Sequence, residues 1–386
     1  MEQFSNTIVC KVPFEWRKVQ LSNDSSVVWK IEPHTQAKHE ILRRYLGAWF
    51  PILSRYCGRI VYLDGFAGPG IYEGGEDGSP VIALQTATEH MLRAQFQEII
   101  FFFIERDRER AKMLINVLKT HFPNLPKNMR YRVEGSEFAP TFEHVLDQLE
   151  KHSSKLAPTF AFLDPFGFSG LPMNLIGRMM NCDKCEVLVT FMAGFIRRFL
   201  DEWREPALNE LYGTDNWKTA RQIQDSDECL RFLVNLYEKQ LQQVGGARYV
   251  RSFGMMGKQN KIIYYLVFGT KHWKGMQVMK EAMWKVDRTG SYRFSDLTNP
   301  NQVFLIDYET KPHWIPSAAD MVHQKFRGQT VLEDDVHKFV VTETPFVYRK
   351  SILQHLEKSS PPKIASVTGR KKVLTYPDGC SVTFCS

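Results

Sequence analysis

R-I-V-Y-L-D-G-F-A-G-P-G, residues 59–70, is a short apolar strand that ends on an acid and runs into a glycine-rich loop. Downstream, strand and helix patterns alternate. The spacing predicts a helix near Pro80–Ala94, then the strand E-I-I-F-F-F-I-E (98–105) and the helix Arg108–Phe122. The strand M-R-Y-R-V-E-G (129–135), the helix Pro140–His152 and the strand T-F-A-F-L-D-P-F (159–166) come next. Leu171–Met180 reads as a helix and Glu186–Met192 as a fifth strand. Apolar strands separated by amphipathic helices imply an α/β fold whose parallel sheet is covered on both faces. Tyr249–Met256 and Lys261–Thr270 are then separated only by G-K-Q-N, so they form an antiparallel hairpin at the end of that sheet.

Upstream, P-H-T-Q-A-K-H-E-I-L-R-R-Y-L-G-A-W-F (33–50) places Ile41, Leu42, Tyr45, Leu46, Trp49 and Phe50 at helical spacing. Thr35 is a plausible N-cap, and Pro51 is expected to kink or end the helix. Residues 1–30 carry little pattern and form an extension. Residues 197–247 are helical and highly charged, and read as an insertion or lid over the carboxyl edge of the sheet. K-H-W-K-G-M-Q-V-M-K-E-A-M-W-K-V (271–286) is a further helix, and the irregular stretch 287–316 closes a first domain at about residues 31–300.

The 386 residues carry 50 Lys and Arg against 43 Asp and Glu, a net charge of +7. This mild basicity is compatible with a nucleic-acid partner without requiring one. An apolar share of 43% with 24% charged residues excludes disorder for most of the chain. The longest apolar stretches, Ile99–Ile104 and Val187–Ile196, are too short for a membrane span. The start M-E-Q-F-S-N-T-I-V-C has no apolar signal core, so a cytoplasmic location with reduced thiols is expected. Cys182 and Cys185 form C-x-x-C, but no second pair or histidine follows at ligand spacing, and no metal is expected.

In the loop after the first strand, Asp64 precedes the first glycine. A nicotinamide site would put a pyrophosphate there, which a carboxylate repels. Asp64 would instead attract a cationic amine, such as that on the methionine part of S-adenosyl-L-methionine. Gly65, Gly68 and Gly70 let backbone amides approach a ligand. Glu105, ending the second strand, can accept two ribose hydroxyls; a solvated charge at a helix start is the alternative. Glu134 and Ser136, at the end of the third strand, reach toward an adenine ring or are surface decoration. His34 and Lys38 lie one turn apart, with His39 adjacent, and would hold a substrate or cofactor carboxylate unless they form an exposed first turn.

The fourth strand ends L-D-P-F-G, residues 163–167. In amino-group methyltransferases an acid or amide followed by Pro-Pro-aromatic stands here and accepts hydrogens from the target nitrogen. Asp164 and Pro165 fit that pattern. Phe166 stands where the second proline would be and Gly167 where the aromatic would be. Phe166 or Phe168 can still stack on a planar substrate; a tight turn with core phenylalanines is the alternative.

Together V-Y-L-D-G-F-A-G-P-G…D-G-S-P-V-I-A-L, F-I-E-R-D and F-L-D-P-F-G resemble the three-Cys-motif partner (TcmP) proteins. P-H-T-x-x-K-H-x-I-L and K-H-W-K-G-M…M-K-E-A-M-W extend the likeness to about residues 28–290. That family is similar to class I S-adenosylmethionine-dependent methyltransferases, with a Rossmann-like sheet ending in an antiparallel hairpin. The resemblance implies Asp64, Gly65, Gly68 and Gly70 around the methionine portion, Glu105 on the ribose and Asp164 at the methyl acceptor. It also implies a three-Cys-motif partner protein of radical type.

Residues 315–386 read as helices near Ala318–Phe326, Val331–Val341 and Phe346–Lys358, then a strand at P-P-K-I-A-S-V and a hairpin around Pro377-Asp378-Gly379. Leu332, Val336, Phe339 and Val340 form one stripe of the middle helix. Three helices followed by a β-wing is a winged helix-turn-helix pattern. Pro345–Ser386 carry +5 of the net +7. Arg370, Lys371 and Lys372 at the wing, with Arg349 and Lys350 near the third helix, are expected to bind nucleic acid, DNA before RNA. The leading expectation is thus a methyltransferase acting on a base or nucleotide amine. The alternative is a non-catalytic adaptor that binds nucleic acid and recruits the partner protein; a nicotinamide oxidoreductase comes third.

Overall fold

The computed structural model describes residues 28–259, 261–287, 291–295 and 313–386. The extension 1–30 lies almost wholly outside these residues, as does most of the stretch 287–316. Strands β1 (Arg59–Asp64), β2 (Glu98–Ile104), β3 (Met129–Glu134), β4 (Thr159–Leu163) and β5 (Glu186–Phe191) are parallel. Next come β6 (Tyr249–Met256) and β7 (Ile262–Thr270), with β7 antiparallel to both β5 and β6. Including the short β8 (Arg293–Ser295), parallel to β6, the order is β3-β2-β1-β4-β5-β7-β6-β8. A mostly parallel sheet with an antiparallel strand inserted near one edge is typical of Rossmann-like methyltransferases.

The sheet's side chains alternate between two cores, as the strand period demands. Along β4, Phe160 and Phe162 face one cluster while Ala161 and Leu163 face the other. The first cluster holds α1 (Pro33–Tyr56), α2 (Ser79–Thr88), α3 (Arg108–His121) and, further along the chain, the helix Trp273–Val286. The second holds α4 (Phe138–Lys151), α5 (Met173–Asn181), α6 (Ala193–Arg198), α7 (Glu205–Tyr212) and α8 (Ser226–Gln243). The Trp273–Val286 helix is α9.

Several boundaries differ from the sequence reading. Pro51 does not end α1, which continues to Tyr56. The helix starts at Pro33, so Thr35 sits in its first turn rather than at the cap. The charged segment 197–247 is not a lid. Leu233, Trp217 and Tyr237 are fully buried on a face of the sheet, with the Tyr237 ring 4.4 Å from Phe191 of β5. The apolar stripe of α8 outweighs its charges, which occupy the opposite side of the helix.

The C-terminal unit comprises α10 (Ile315–Phe326), β9 (Thr330–Leu332), α11 (Glu333–Glu343), α12 (Ser351–Lys358), β10 (Ile364–Thr368) and β11 (Ser381–Phe384). Its three strands form an antiparallel sheet in the order β10-β11-β9. The expected hairpin around Pro377-Asp378-Gly379 does not form: β11 pairs with β10 and β9, and residues 369–380 are a loop. Tyr376 draws that loop onto α12, burying its ring and donating to Leu353 O at 3.2 Å. Val331 and Leu332 belong to β9 instead of the middle helix, and Leu332 leaves the buried stripe. The third helix begins at Ser351, five residues beyond Phe346.

This unit is fastened to α9. Lys280, almost fully buried, donates to the carbonyls of Val340, Val341 and Thr344 at 3.0, 3.0 and 2.9 Å and to Phe346 O at 2.5 Å. It thereby caps the C-terminal end of α11, where free carbonyls favour a cation. Burial pulls the Lys280 amine well below its ordinary pKa. Among the described residues, no helix is long and apolar enough to cross a membrane.

Candidate active site

Parallel strands bring their carboxyl ends to one edge, which is where open α/β sheets bind ligands. Asp64 ends β1, Glu105 follows β2 and Asp164 follows β4. Since β1 lies between β2 and β4, these three acids stand side by side.

Asp64 is fully buried. Ser79 Oγ donates to its Oδ2 at 2.7 Å, the Phe66 amide to Oδ1 at 3.3 Å, and Tyr62 OH to Oδ2 at 3.4 Å. Burial raises its carboxyl to about 7 against these hydrogen bonds, and the nearby Asp164 charge adds to the rise. Asp64 therefore anchors the loop to the start of α2 and does not offer an oxygen directly to a cationic ligand. Sequence reading missed Ser79; its signal was a hydroxyl between Gly78 and Pro80 at a helix start.

The loop itself is tightly built. A Cβ on Gly65 would stand 2.7 Å from Phe138 and 2.8 Å from Leu163. Gly68 has φ +64 and faces open space, and its amide donates to Glu105 Oε2 at 2.8 Å. Gly70 has φ +88, with Leu114 2.8 Å from where its Cβ would be. Glu105 Oε1 accepts from the Asp107 amide at 2.8 Å. Each Glu105 oxygen keeps a second lone pair, so the carboxylate joins the two loops and can still accept a diol. Glu134 is ion-paired with Arg132 on its own strand, and Ser136 Oγ shares a 2.7 Å hydrogen bond with Thr141 Oγ1.

Lys38, in the second turn of α1, donates to Asp164 Oδ2. Its amine also lies 5.3 Å from the centre of the Tyr264 ring. Burial pushes the Asp164 carboxyl upward, but the Lys38 cation outweighs it and the pKa falls below its ordinary value. His39 is buried beside them, its ring 5.6 Å from Tyr72. Burial first and the Lys38 charge second lower the imidazole to about 3, so it is neutral at pH 7. His34 meets Tyr264 edge-on at 5.5 Å. Lys38 is thus a partner of Asp164. The residues after Asp164 divide: Pro165 is buried, Phe166 is 88% exposed, and Phe168 is buried with its ring 5.9 Å from Phe195.

The residues expected to meet nucleic acid are mostly engaged elsewhere. Arg349 makes a two-pronged pair with Glu281 of α9 at 2.5 and 2.7 Å. Arg370 does the same with Glu357 at 2.7 and 2.6 Å. Lys350 reaches Asp378 at 3.3 Å. Lys371 and Lys372 are exposed. Cys182 and Cys185 are free thiols, and no group of three His, Cys, Asp or Glu side chains that could hold a metal occurs among the described residues.

The topology is that of a Rossmann-like α/β protein, with the mostly parallel sheet typical of methyltransferases. No protein family matches the chain by sequence, and no curated protein matches it. Among solved structures it is similar to Trm1 from Pyrococcus horikoshii in complex with S-adenosyl-L-methionine, with 12% identity, 94% of each chain covered and a TM-score of 0.36. So low a score carries no functional argument, and the sheet order stands on its own pairings.

Proposed function

We propose that the chain is an S-adenosylmethionine-dependent methyltransferase acting on a nucleic-acid amine, and a three-Cys-motif partner protein. The observation that carries this reading is the row of Glu105, the glycine loop and Asp164 on three adjacent strand ends. The open face of Gly68 beside the Glu105 carboxylate fits a ribose diol, and the cofactor would be held there. When bound, it supplies a methyl group already activated by a sulfonium. Pro165 stiffens the turn that presents Asp164, and Phe166 offers an exposed ring to a planar base. Asp164, kept ionised by Lys38, accepts hydrogens from an acceptor amine and stabilises the positive charge that grows on it. No strong base is required, because the amine sheds its proton after attack. We further infer that the C-terminal unit is a winged helix; the order α10-β9-α11-α12-β10-β11 and its three-stranded sheet support this.

One observation favours a second reading, the non-catalytic adaptor: Lys38 already occupies an oxygen of Asp164. Titration with S-adenosylmethionine, followed by methyl transfer to mixed DNA and RNA, separates the two. The enzyme reading expects micromolar cofactor binding, weakened roughly tenfold or more by Glu105→Ala through loss of charged hydrogen bonds. Asp164→Ala should lose roughly 10²-fold or more of turnover with cofactor affinity retained. No binding at millimolar cofactor, or full activity in Asp164→Ala, would overturn it.

A further inference from the structure

A groove of about 580 Å³ opens at the same edge, one strand further along. It lies among the first turn of α1, the start of α6 and the β6–β7 turn, and its lining includes Glu32, His34, Phe195, Arg198, Lys258 and Lys261. Register explains its place. Phe191, the last residue of β5, pairs with Tyr265, so the start of β7 and the turn before it rise past the end of β5. Gly257 N–H donates to Lys261 O at 3.0 Å and closes that turn. Lys258 and Lys261 are exposed on it, and Arg198 is exposed on α6 opposite. None of these three forms an ion pair among the described residues, in contrast to Arg349, Lys350 and Arg370. Glu32 is the one acid in the lining among the described residues.

Two residues of the lining, His34 and Phe195, connect the groove to the Asp164 turn. His34 packs on Tyr264, over whose ring the Lys38 amine lies, and Lys38 holds Asp164. Phe195 stands 3.7 Å from the position of a Cβ on Gly167. Phe166, 88% exposed, projects from the same turn. Unpaired cations tracking a backbone, with aromatic rings beside them, are what a single nucleic-acid strand requires. A base inside a duplex cannot reach an acid as recessed as Asp164, whose side chain is 23% exposed.

We propose that this groove, through Arg198, Lys258 and Lys261, binds the phosphates of an unpaired nucleic-acid strand and leads one base to the Asp164 turn. The proposal rests on the methyltransferase reading for its purpose, but its binding test does not. Fluorescence anisotropy across a salt series would use mixed-sequence single strands, one DNA and one RNA, and a duplex. The Arg198→Glu/Lys258→Glu/Lys261→Glu variant should bind single strands at least tenfold more weakly. Its salt slope should fall by about 2, because each phosphate contact on a single strand contributes about 0.7. Lys371→Glu/Lys372→Glu tests the wing as the competing site and should weaken single-strand binding less than the groove variant does. The better of the two single strands identifies the natural polymer.

Circular dichroism and thermal unfolding control for folding, and calorimetry with S-adenosylmethionine tests the enzyme reading separately. Strand binding lost with cofactor binding intact supports the groove. Strand binding through the groove with no cofactor binding in any protein sinks the enzyme reading alone. If the triple variant does not fold, Lys258→Gln/Lys261→Gln, confined to the exposed turn, should still lower the slope by about 1.4, two contacts of about 0.7. An unchanged slope, a loss carried by Lys371 and Lys372, equal binding of duplex, or no strand binding at all would overturn the proposal.

Discussion

Asp64 and Asp164 end neighbouring strands, yet their surroundings drive them in opposite directions. Asp64 has only neutral donors, Ser79, Tyr62 and the Phe66 amide, and burial raises it to about 7. Asp164 has the Lys38 cation and is lowered despite burial. The contrast shows that position at a strand end does not set a carboxyl's charge; its donors do. Neutral donors can fix a carboxyl in place without fixing its charge. A cation from a neighbouring helix keeps the carboxylate ionised in spite of burial.

The largest expected effect comes from removing the titration of Asp64. Its folded pKa of about 7 lies above the ordinary 3.8. Between those values the folded state holds a proton that the unfolded chain has lost, so stability falls as pH rises. By pH 8 the loss is on the order of 4 kcal/mol. Asp64→Asn cannot ionise and should therefore gain on the unaltered protein steadily from pH 4 to 7, then level off. Urea unfolding across that range measures the difference. Parallel curves for the two proteins would mean that Asp64 is paired by a charge not recognised at this edge.

The strands, their order of appearance and the edge acids were legible because apolar runs and turns are local. The Lys38–Asp164 pair was not, because its members are 126 residues apart. Lys38 was legible as a residue for a substrate or cofactor carboxylate, but not as the partner of Asp164. Distance misled again in the C-terminal unit, where Arg349 looked free. Its acid, Glu281, stands 68 residues upstream on α9. The wing hairpin failed for a different reason. Val373–Tyr376 is apolar enough to read as a strand, but Tyr376 is buried against α12 and donates to Leu353 O. β8 is three residues long and its pairing lies with β6, a partner no periodicity can reveal. Thr35 and Pro51 show the same limit in α1, since burial of Ile41 through Phe50 overrides weak helix signals at either end.

The next effect tests the other half of the comparison. Lys38→Met leaves Asp164 charged, recessed and unpaired, which costs about 3 kcal/mol, the lower end for a broken buried pair because Asp164 keeps some exposure. Adding Asp164→Asn should recover most of that loss, so the double variant is more stable than the sum of the singles. The pH signature differs in sign from that of Asp64. Asp164's lowered pKa contributes stability above its ordinary value that is lost as pH falls through the folded one. Lys38→Met should therefore lose that acid limb. Additive losses in the cycle would show that the two side chains are neighbours without being partners.

The smallest effect links the two acids through the chain between them. Gly65 follows Asp64, and an added Cβ would strike Leu163, the residue before Asp164, as well as Phe138. Both are core side chains that have little room, so Gly65→Ala should cost about 2 kcal/mol by overpacking. The displaced Leu163 would carry Asp164 with it, while Asp64 stays bound to Ser79. Thermal unfolding gives the stability term, and the acid limb contributed by Asp164 should shrink in the same variant. A variant that is destabilised with that limb intact would mean the strain is absorbed on the Phe138 side. In that case α4, not the spacing of the two carboxylates, is what the glycine protects.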